Sequence, residues 1–365
     1  MKFKLILKNT LKLYLEKYYH SRKLHAEIRK FKDPRRKAIY SKVKLSSDQE
    51  KKIDEIFVNY YGKKVSYIWH RHYTAFTGNF DPYYIPEILF IPEFESYMNY
   101  NRSYINVFAD KNVISIIAAG VGVHIPETII SKANGILRDN EYQLINWKRA
   151  EEILSKKTCF VKPSIDSDSG RGCILLDSNK GDMISALKGM GDNFIVQERI
   201  ICSESIAKIY SNSVNTFRVM TYIWDGDVVC APIIMRIGQG GSFLDNAHAG
   251  GMFIAINDDG TLHKKAFTEF RDEFFEHPDT HVAFEGYIVN NFDKIIASAK
   301  KMHSAIPQLG VINWDFTIDK NEEPILIEAN TSGGSIWLFQ MAWGCGVFGK
   351  NTPAILEWLR GRNNR

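Results

Sequence analysis

Two apolar runs near the C-terminal end constrain this chain more than anything else in it. "VINWDFTID" (residues 311–319) and "EPILIEAN" (residues 323–330) are each long enough for a buried strand, and a polar turn around Lys320 and Asn321 separates them. Alternation along the first puts Val311, Asn313, Asp315 and Thr317 on one face, and Ile312, Trp314, Phe316 and Ile318 on the other. In the second, Leu326, Glu328 and Asn330 share a face, and Thr331, Ser332, Gly333 and Gly334 follow. If the runs pair as a hairpin, Asp315, Glu328 and Asn330 converge. Two carboxylates and an amide carbonyl are hard oxygen ligands, suited to Mg²⁺ held together with substrate phosphates. The alternative is a polar strand face open to water.

The preceding stretch is also strand-rich. "TCFVKPS" and "GCILLD" read as short strands joined by "IDSDSGRG", a loop whose free backbone N–H groups suit phosphates or simply face solvent. No Walker A or dinucleotide fingerprint is present. "NFIVQERI" is a buried strand running into Gln197, Glu198, Arg199 and Ile200, a place for adenine and ribose contacts or an ordinary strand end. "VNTFRVMTYIW" and "VVCAPIIMRIG" read as long paired strands around Asp225-Gly226-Asp227. Arg218 and Arg236 lie inside them, and a buried guanidinium needs an anion, whether substrate or structural carboxylate. His248, in the loop "GQGGSFLDNAHAGG", is either a general base or a loop histidine without a role.

Ahead of these strands the chain differs in character. Residues 1–37 hold thirteen Lys or Arg against three Asp or Glu, although the whole chain is only +5, so the remainder is net acidic. Apolar residues recur there at helical spacing, which gives a basic amphipathic helix for an anionic membrane or a helix packed on its own domain. Because the basic bias stops at residue 37, nucleic acid is not the expected partner. "SSDQEKKIDEIFVNYYG" reads as a capped helix opened by Ser46 or Ser47, followed by Glu50 and ended by Gly62, and the aromatic segment 66–105 as irregular packing or a small accessory domain. "YINVFADKNVISIIAAGVGVHIPETII" reads as a strand, a turn at Asp110-Lys111-Asn112, a short helix and a further strand. No apolar run reaches the roughly 20 residues of a membrane span. Five dispersed cysteines without a Cys-x-x-Cys pair point to reduced thiols in a cytoplasmic protein and speak against zinc.

Together these motifs resemble the ATP-grasp superfamily, with "LIEANTSGG" the closest match and "DKNVISIIAAGVGVHIPET" and "NTFRVMTYI" similar to its sugar-transfer-associated members. The resemblance implies an α+β ATP-grasp fold in which two α+β subdomains grip ATP behind an N-terminal accessory region. It makes Asp315, Glu328 and Asn330 the Mg²⁺ ligands, and Lys111 and Lys162 the lysines that reach the ATP phosphates. Ser169, Gly170, Arg171 and Gly172 belong to the phosphate-covering loop, and Gln197, Glu198, Arg199 and Ile200 to the adenine hinge. Two departures stand out: Asn313 and Gly333 occupy positions held by arginine and proline in the dipeptide ligases. The expected division is a basic arm (1–40), an accessory region (41–154), a nucleotide-binding subdomain (155–205) and a C-terminal subdomain with the metal site (206–355). The implied activity is an ATP- and Mg-dependent carboxylate–amine ligase working through an acylphosphate on a sugar or polysaccharide precursor, with Arg218, Arg236 and His248 as catalytic groups. A kinase on the same scaffold and a non-catalytic ATP-binding subunit are the alternatives.

Overall fold

A computed structural model describes residues 2–155, 157–165, 172–177 and 181–363, with side chains of the first helix from residue 17 onward and at Leu15. Backbone contacts divide the chain into two units. One comprises residues 1–100, 270–272 and 332–365; the other comprises residues 101–269 and 273–331. The contiguous division expected from sequence therefore gives way to one in which the last thirty-odd residues return to the N-terminal unit.

That first unit is helical. A helix over Lys2–Phe31 is followed by Pro34–Ser41, which begins with proline at its first position and the Asp33 carboxylate on the Arg35 N–H. Ser47–Ile56 opens with a capping box between Ser46 and Gln49, one residue before the Glu50 expected, and Gly62 closes its wide last turn at φ +85°. The aromatic segment is largely helical too (Ile68–Thr77, then Glu87–Met98), which corrects the expectation of irregular packing. Its period was illegible because Trp69, His70, His72, Tyr73 and Phe76 are buried on every side. Phe31, at the end of the basic helix, packs 3.7 Å from the Trp69 ring and 5.0 Å from Trp337. Lys23 reaches Glu95 and Ser96, so the described part of this helix packs on its own unit. No helix among the described residues is long and apolar enough to cross a membrane.

The opening glycines have a use the sequence did not disclose. Gly333 and Gly334 each donate a backbone N–H to one oxygen of the buried Glu95 carboxylate (2.9 and 3.0 Å), and Ile336 N–H donates to Glu87. Burial raises both carboxyl groups above the ordinary carboxylate range, Glu87 strongly. Backbone donors offset only part of that desolvation.

The second unit holds two antiparallel sheets. Its first helix, Arg102–Ala109, stands where a strand was expected: Asn101 caps it, and Asp110 then caps Lys111–Gly120. The five-stranded sheet runs β2 (Ile136–Asp139), β1 (Thr128–Ala133), β5 (Phe194–Glu198), β3 (Thr158–Pro163), β4 (Ile174–Asp177). Two of its strands therefore come from the expected accessory region. The larger sheet runs β11 (Glu273–Phe274), β10 (Leu262–Phe267), β9 (Met252–Ile256), β8 (Ile233–Ile237), β6 (Thr216–Trp224), β12 (Val311–Ile318), β13 (Pro324–Asn330), with β7 (Asp227–Cys230) also on β6. Asp225 and Gly226 turn the β6–β7 hairpin with φ of 50° and 86°, as the Asp-Gly pair requires. "VVCAPIIMRIG" is not one strand, because Pro232 cannot donate to a ladder and splits it into β7 and β8.

One face of this sheet carries Phe217, Met235, Ile254, Trp314 and Phe316 in a core closed by the helix Asp293–Ala305. A chain of buried donors crosses that core. Trp314 Nε1 donates to Thr221 Oγ1 (2.7 Å), which pairs with His303 Nδ1 (2.6 Å), while His303 Nε2 pairs with the Leu309 carbonyl (2.8 Å). Burial pushes His303 down to about 4, so it stays neutral at pH 7.

Candidate active site

The opposite face of β12 is where the polar residues meet. All eight residues of β12 are buried, which removes the reading of a water-exposed polar face. Asn313 pairs with Asn330 and Asp315 with Glu328 across β13, while Arg218 pairs with Asp315 across β6. The register then slips, because Phe316 faces Leu326 and Ile327 is left as an extra residue. This β-bulge turns Leu326 onto the core face beside Ala329, away from Glu328, contrary to strict alternation. It also frees the Ile327 carbonyl, which accepts from Lys162 Nζ at 3.3 Å.

Asp315 is the most heavily contacted of the three expected ligands. Arg218 Nε and Nη2 donate to its two oxygens at 2.5 and 3.1 Å, Arg236 Nη2 at 3.0 Å and Asn330 Nδ2 at 3.4 Å. Burial opposes ionisation, but the two guanidinium groups outweigh it and hold the Asp315 carboxyl below the ordinary carboxylate range. Arg236 also lies 3.6 Å from Asp245, whose carboxylate accepts from the Thr216 N–H and hydroxyl. Thr216 and Asp245 were not expected from sequence, and an Asp that is the eighth residue of an irregular loop carries no local signal.

Lys111, Lys162, Gln197 and Glu328 line one cleft between the two sheets. Lys111 opens its helix, holds the Ser164 carbonyl through its own N–H (2.9 Å), and sets its ammonium 3.1 Å from Glu328. Gln197 is buried and donates from Nε2 to the Pro126 carbonyl (3.1 Å). Glu198 is exposed, 3.7 Å from Lys157. Arg199 is exposed and Ile200 half-buried in the segment that leaves β5 and joins the end of β12, where Ser203 N–H donates to the Ile318 carbonyl. Gly172 turns at φ +74° against Pro163. Ser169, Gly170 and Arg171 lie outside the described residues.

Burial, and then the neighbouring Lys111, push Lys162 from 10.5 down to about 8. The free site has thus lost part of its charge just above neutral pH. A bound polyphosphate restores the proton, so nucleotide affinity should hold steady below pH 7.5 and fall by up to about tenfold per pH unit above pH 8. Calorimetry in buffers of different ionisation enthalpy should record proton uptake on ATP binding near pH 8.5, absent in Lys162→Met; a flat profile would refute this. The same shift makes stability rise between pH 8 and 10.5, since there the unfolded lysine holds a proton the folded one has released.

The donor set fits a hard divalent cation. Asp315, Glu328 and Asn330 offer oxygens from adjacent register pairs, and the buried Asn313 Oδ1 has no hydrogen-bond partner. Among the described residues no three His, Cys, Asp or Glu side chains form a metal cage, so an ion here would need phosphate oxygens as further ligands.

The chain belongs to the sugar-transfer associated ATP-grasp family, whose sequence pattern matches residues 91–354. Its α+β architecture of antiparallel sheets is the one that membership implies. Solved structures that resemble it include carboxyaminoimidazole ribonucleotide synthase from Aspergillus clavatus complexed with ATP, at 12% identity and a TM-score of 0.40 over 63% of this chain and 46% of that one. Another is an L-amino acid ligase from Bacillus licheniformis, at 14% and 0.38 over 64% and 46%. A third is a D-Ala:D-Ser ligase from Enterococcus faecalis, at 13% and 0.42 over 70% and 61%. The chain therefore spans less than two thirds of each of these proteins. No curated protein matches it.

Proposed function

We propose that the protein is an ATP- and Mg-dependent carboxylate–amine ligase acting through an acylphosphate, with a sugar acid or polysaccharide precursor as one substrate. What carries the reading is the convergence of Lys111, Lys162, Arg218 and Arg236 on the strand pair bearing Asp315 and Glu328, in a chain of the ATP-grasp family. Four cations against Asp315, Glu328 and Asp245 leave the site electropositive, as a polyphosphate requires.

In this reading Lys111 and Lys162 bind the ATP phosphates, and Gln197 to Ile200 border the adenine. A divalent ion held by Asp315, Glu328 and Asn330 would neutralise phosphate charge and polarise the transferred phosphoryl group. Arg218 and Arg236 orient the substrate carboxylate as its oxygen attacks the γ-phosphate, and their fixed charge stabilises the anionic transition state without reorganisation. The acylphosphate then loses phosphate to an amine.

The test is ³¹P NMR of the full chain with ATP, Mg²⁺, pooled sugar and amino acids, and hydroxylamine. ADP, phosphate and a hydroxamate arising together support acylphosphate chemistry. A new phosphoester signal would replace the ligase reading by a kinase, and untouched ATP across broad pools would count against both.

The lysine-rich first half of the N-terminal helix suits an anionic membrane surface at the cytoplasmic face. Deleting residues 1–37 is a poor test, because it also removes Phe31 from its buried place beside Trp69. Changing Lys2, Lys4, Lys8 and Lys12 to Glu should instead abolish co-sedimentation with phosphatidylserine vesicles at low salt; unchanged sedimentation would remove the membrane contact.

A further inference from the structure

Away from the cleft, one pair of titratable side chains is built as an acid–base unit. His248 sits in a short turn, Ala247–Ala249, whose start is capped by Asn246 Oδ1 accepting the His248 N–H (3.0 Å). Its Nδ1 lies 2.6 Å from Glu269 Oε2, and the two side chains differ sharply in exposure, 65% for His248 against 10% for Glu269. A buried carboxylate that accepts from Nδ1–H holds the neutral imidazole in one tautomer, with the Nε2 lone pair turned outward. That is the state in which an imidazole takes a proton.

The loop that carries His248 is tied to the site already described. Asp245, three residues earlier, is held by Thr216 and by Arg236, and Arg236 also grips Asp315. Gln239 Nε2 donates to the Gly250 carbonyl (2.6 Å), and a side chain at Gly251 would collide with the Asp245 carbonyl, so the loop closes on itself. The sheet register extends the connection to Glu269. Thr216 pairs with Arg236, Arg236 with Phe253, and Phe253 with Phe267, forming one row across β6, β8, β9 and β10. Glu269 follows Phe267 by two residues. At about 4.8 Å per strand this row spans roughly 15 Å. It ties the arginine–Asp315 network to the strand end that carries Glu269, the partner of His248.

We propose that His248 is the proton acceptor for the nucleophile of the second half-reaction, and that Glu269 is its positioning residue. This rests on the ligase reading above and adds to it the acceptor's chemistry: a nucleophile that arrives with a proton to lose. The amine lone pair forms the C–N bond at the acyl carbon. The carbon–oxygen bond to phosphate breaks, its electron pair leaving with inorganic phosphate, and the nitrogen's surplus proton passes to His248 Nε2.

Two measurements on the full chain decide it. The first is a long-range ¹H–¹⁵N correlation spectrum of ¹⁵N-histidine-labelled protein, with His248 assigned through His248→Gln. The proposal requires the Nδ1–H tautomer in the wild type and a shift toward Nε2–H in Glu269→Gln. The second is ADP release from MgATP with pooled sugar acids, driven either by pooled amines or by hydroxylamine, whose weakly basic nitrogen passes its surplus proton to water without a positioned base. His248→Gln and Glu269→Gln should each lower the amine-driven rate on the order of 100-fold while the hydroxylamine-driven rate stays near wild type. An Nε2–H tautomer that ignores Glu269→Gln, or equal losses with both nucleophiles, overturns the dyad. Absence of ADP release from the wild type with either nucleophile counts against the ligase reading instead, and the tautomer then decides the dyad alone.

Discussion

Replacing Glu328 by Gln should lower substrate-dependent ATP consumption by at least about 100-fold, the scale of loss when one preorganised electrostatic group is removed from a reacting centre. The amide keeps the shape of the side chain. It removes one of the two carboxylates that face each other across β12 and β13, and leaves Lys111 without the counter-ion now 3.1 Å away. Stability should change little, by about 1 kcal/mol or less, because Glu328 is 29% exposed and its ion pair is partly screened. ATP affinity separates the two effects. With Mg²⁺ absent the variant should bind ATP at least as well as the wild type, having lost a repelling charge. The strengthening that Mg²⁺ produces in the wild type should disappear. Full activity in Glu328→Gln, or an unaltered Mg²⁺ effect on ATP binding, would remove Glu328 from the metal site.

Arg236→Met should have the largest effect on folding. Its guanidinium lies between two buried carboxylates, 3.0 Å from Asp315 and 3.6 Å from Asp245, and also donates to Thr216. Methionine fills most of the volume but leaves Asp245 without its cation and Asp315 with Arg218 alone. Breaking a buried pair from one side costs about 3–5 kcal/mol, since the remaining charge stays desolvated. Thermal unfolding should therefore come roughly 5 °C earlier. Asp245 gives the result a pH signature. Burial already raises its carboxyl group above the ordinary carboxylate range against the pull of Arg236, and loss of that pull raises it further. A carboxyl with a raised folded value costs stability as pH climbs above its unfolded value, so the deficit in Arg236→Met should be smallest near pH 4 and grow toward neutrality. An unchanged melting temperature at pH 7 would mean that the network contributes no net stability.

The site was legible to the extent that local pattern determined it. Asp315, Glu328 and Asn330 could be placed together from strand alternation and one polar turn, because a hairpin brings near neighbours in sequence into register. Lys162 at a strand end, and Arg218 and Arg236 inside apolar strands, were legible for a related reason: a charge in an apolar run needs a partner. The partner itself was not. Whether each arginine met substrate or a structural carboxylate depended on which strands became neighbours, and β6 lies between β8 and β12 only in the folded sheet. The errors follow the same line. The segment before Asp110 was read as a strand because a short apolar run has no distinctive period, and helix caps at Asn101 and Asp110 decided otherwise. Leu326 was placed on the wrong face because a one-residue bulge has no signature in composition.

By itself the sequence determined the elements whose hydrophobic period or turn chemistry is local: the Asp225-Gly226 hairpin, the long strands of the larger sheet, the carboxylates of β12 and β13 (Asp315 and Glu328) and the family that their motif resembles. Only the tertiary structure decided what each charge faces. Asp245 holds Arg236, Glu95 holds the Gly333 and Gly334 amides, Phe31 anchors the basic helix, and Glu269 stands behind His248. Each of those pairs is separated by at least nine residues and most by many more. Desolvation makes an unpaired buried charge or donor costly wherever its partner lies in the chain, so such pairs are selected by burial in the folded state and leave no spacing to read.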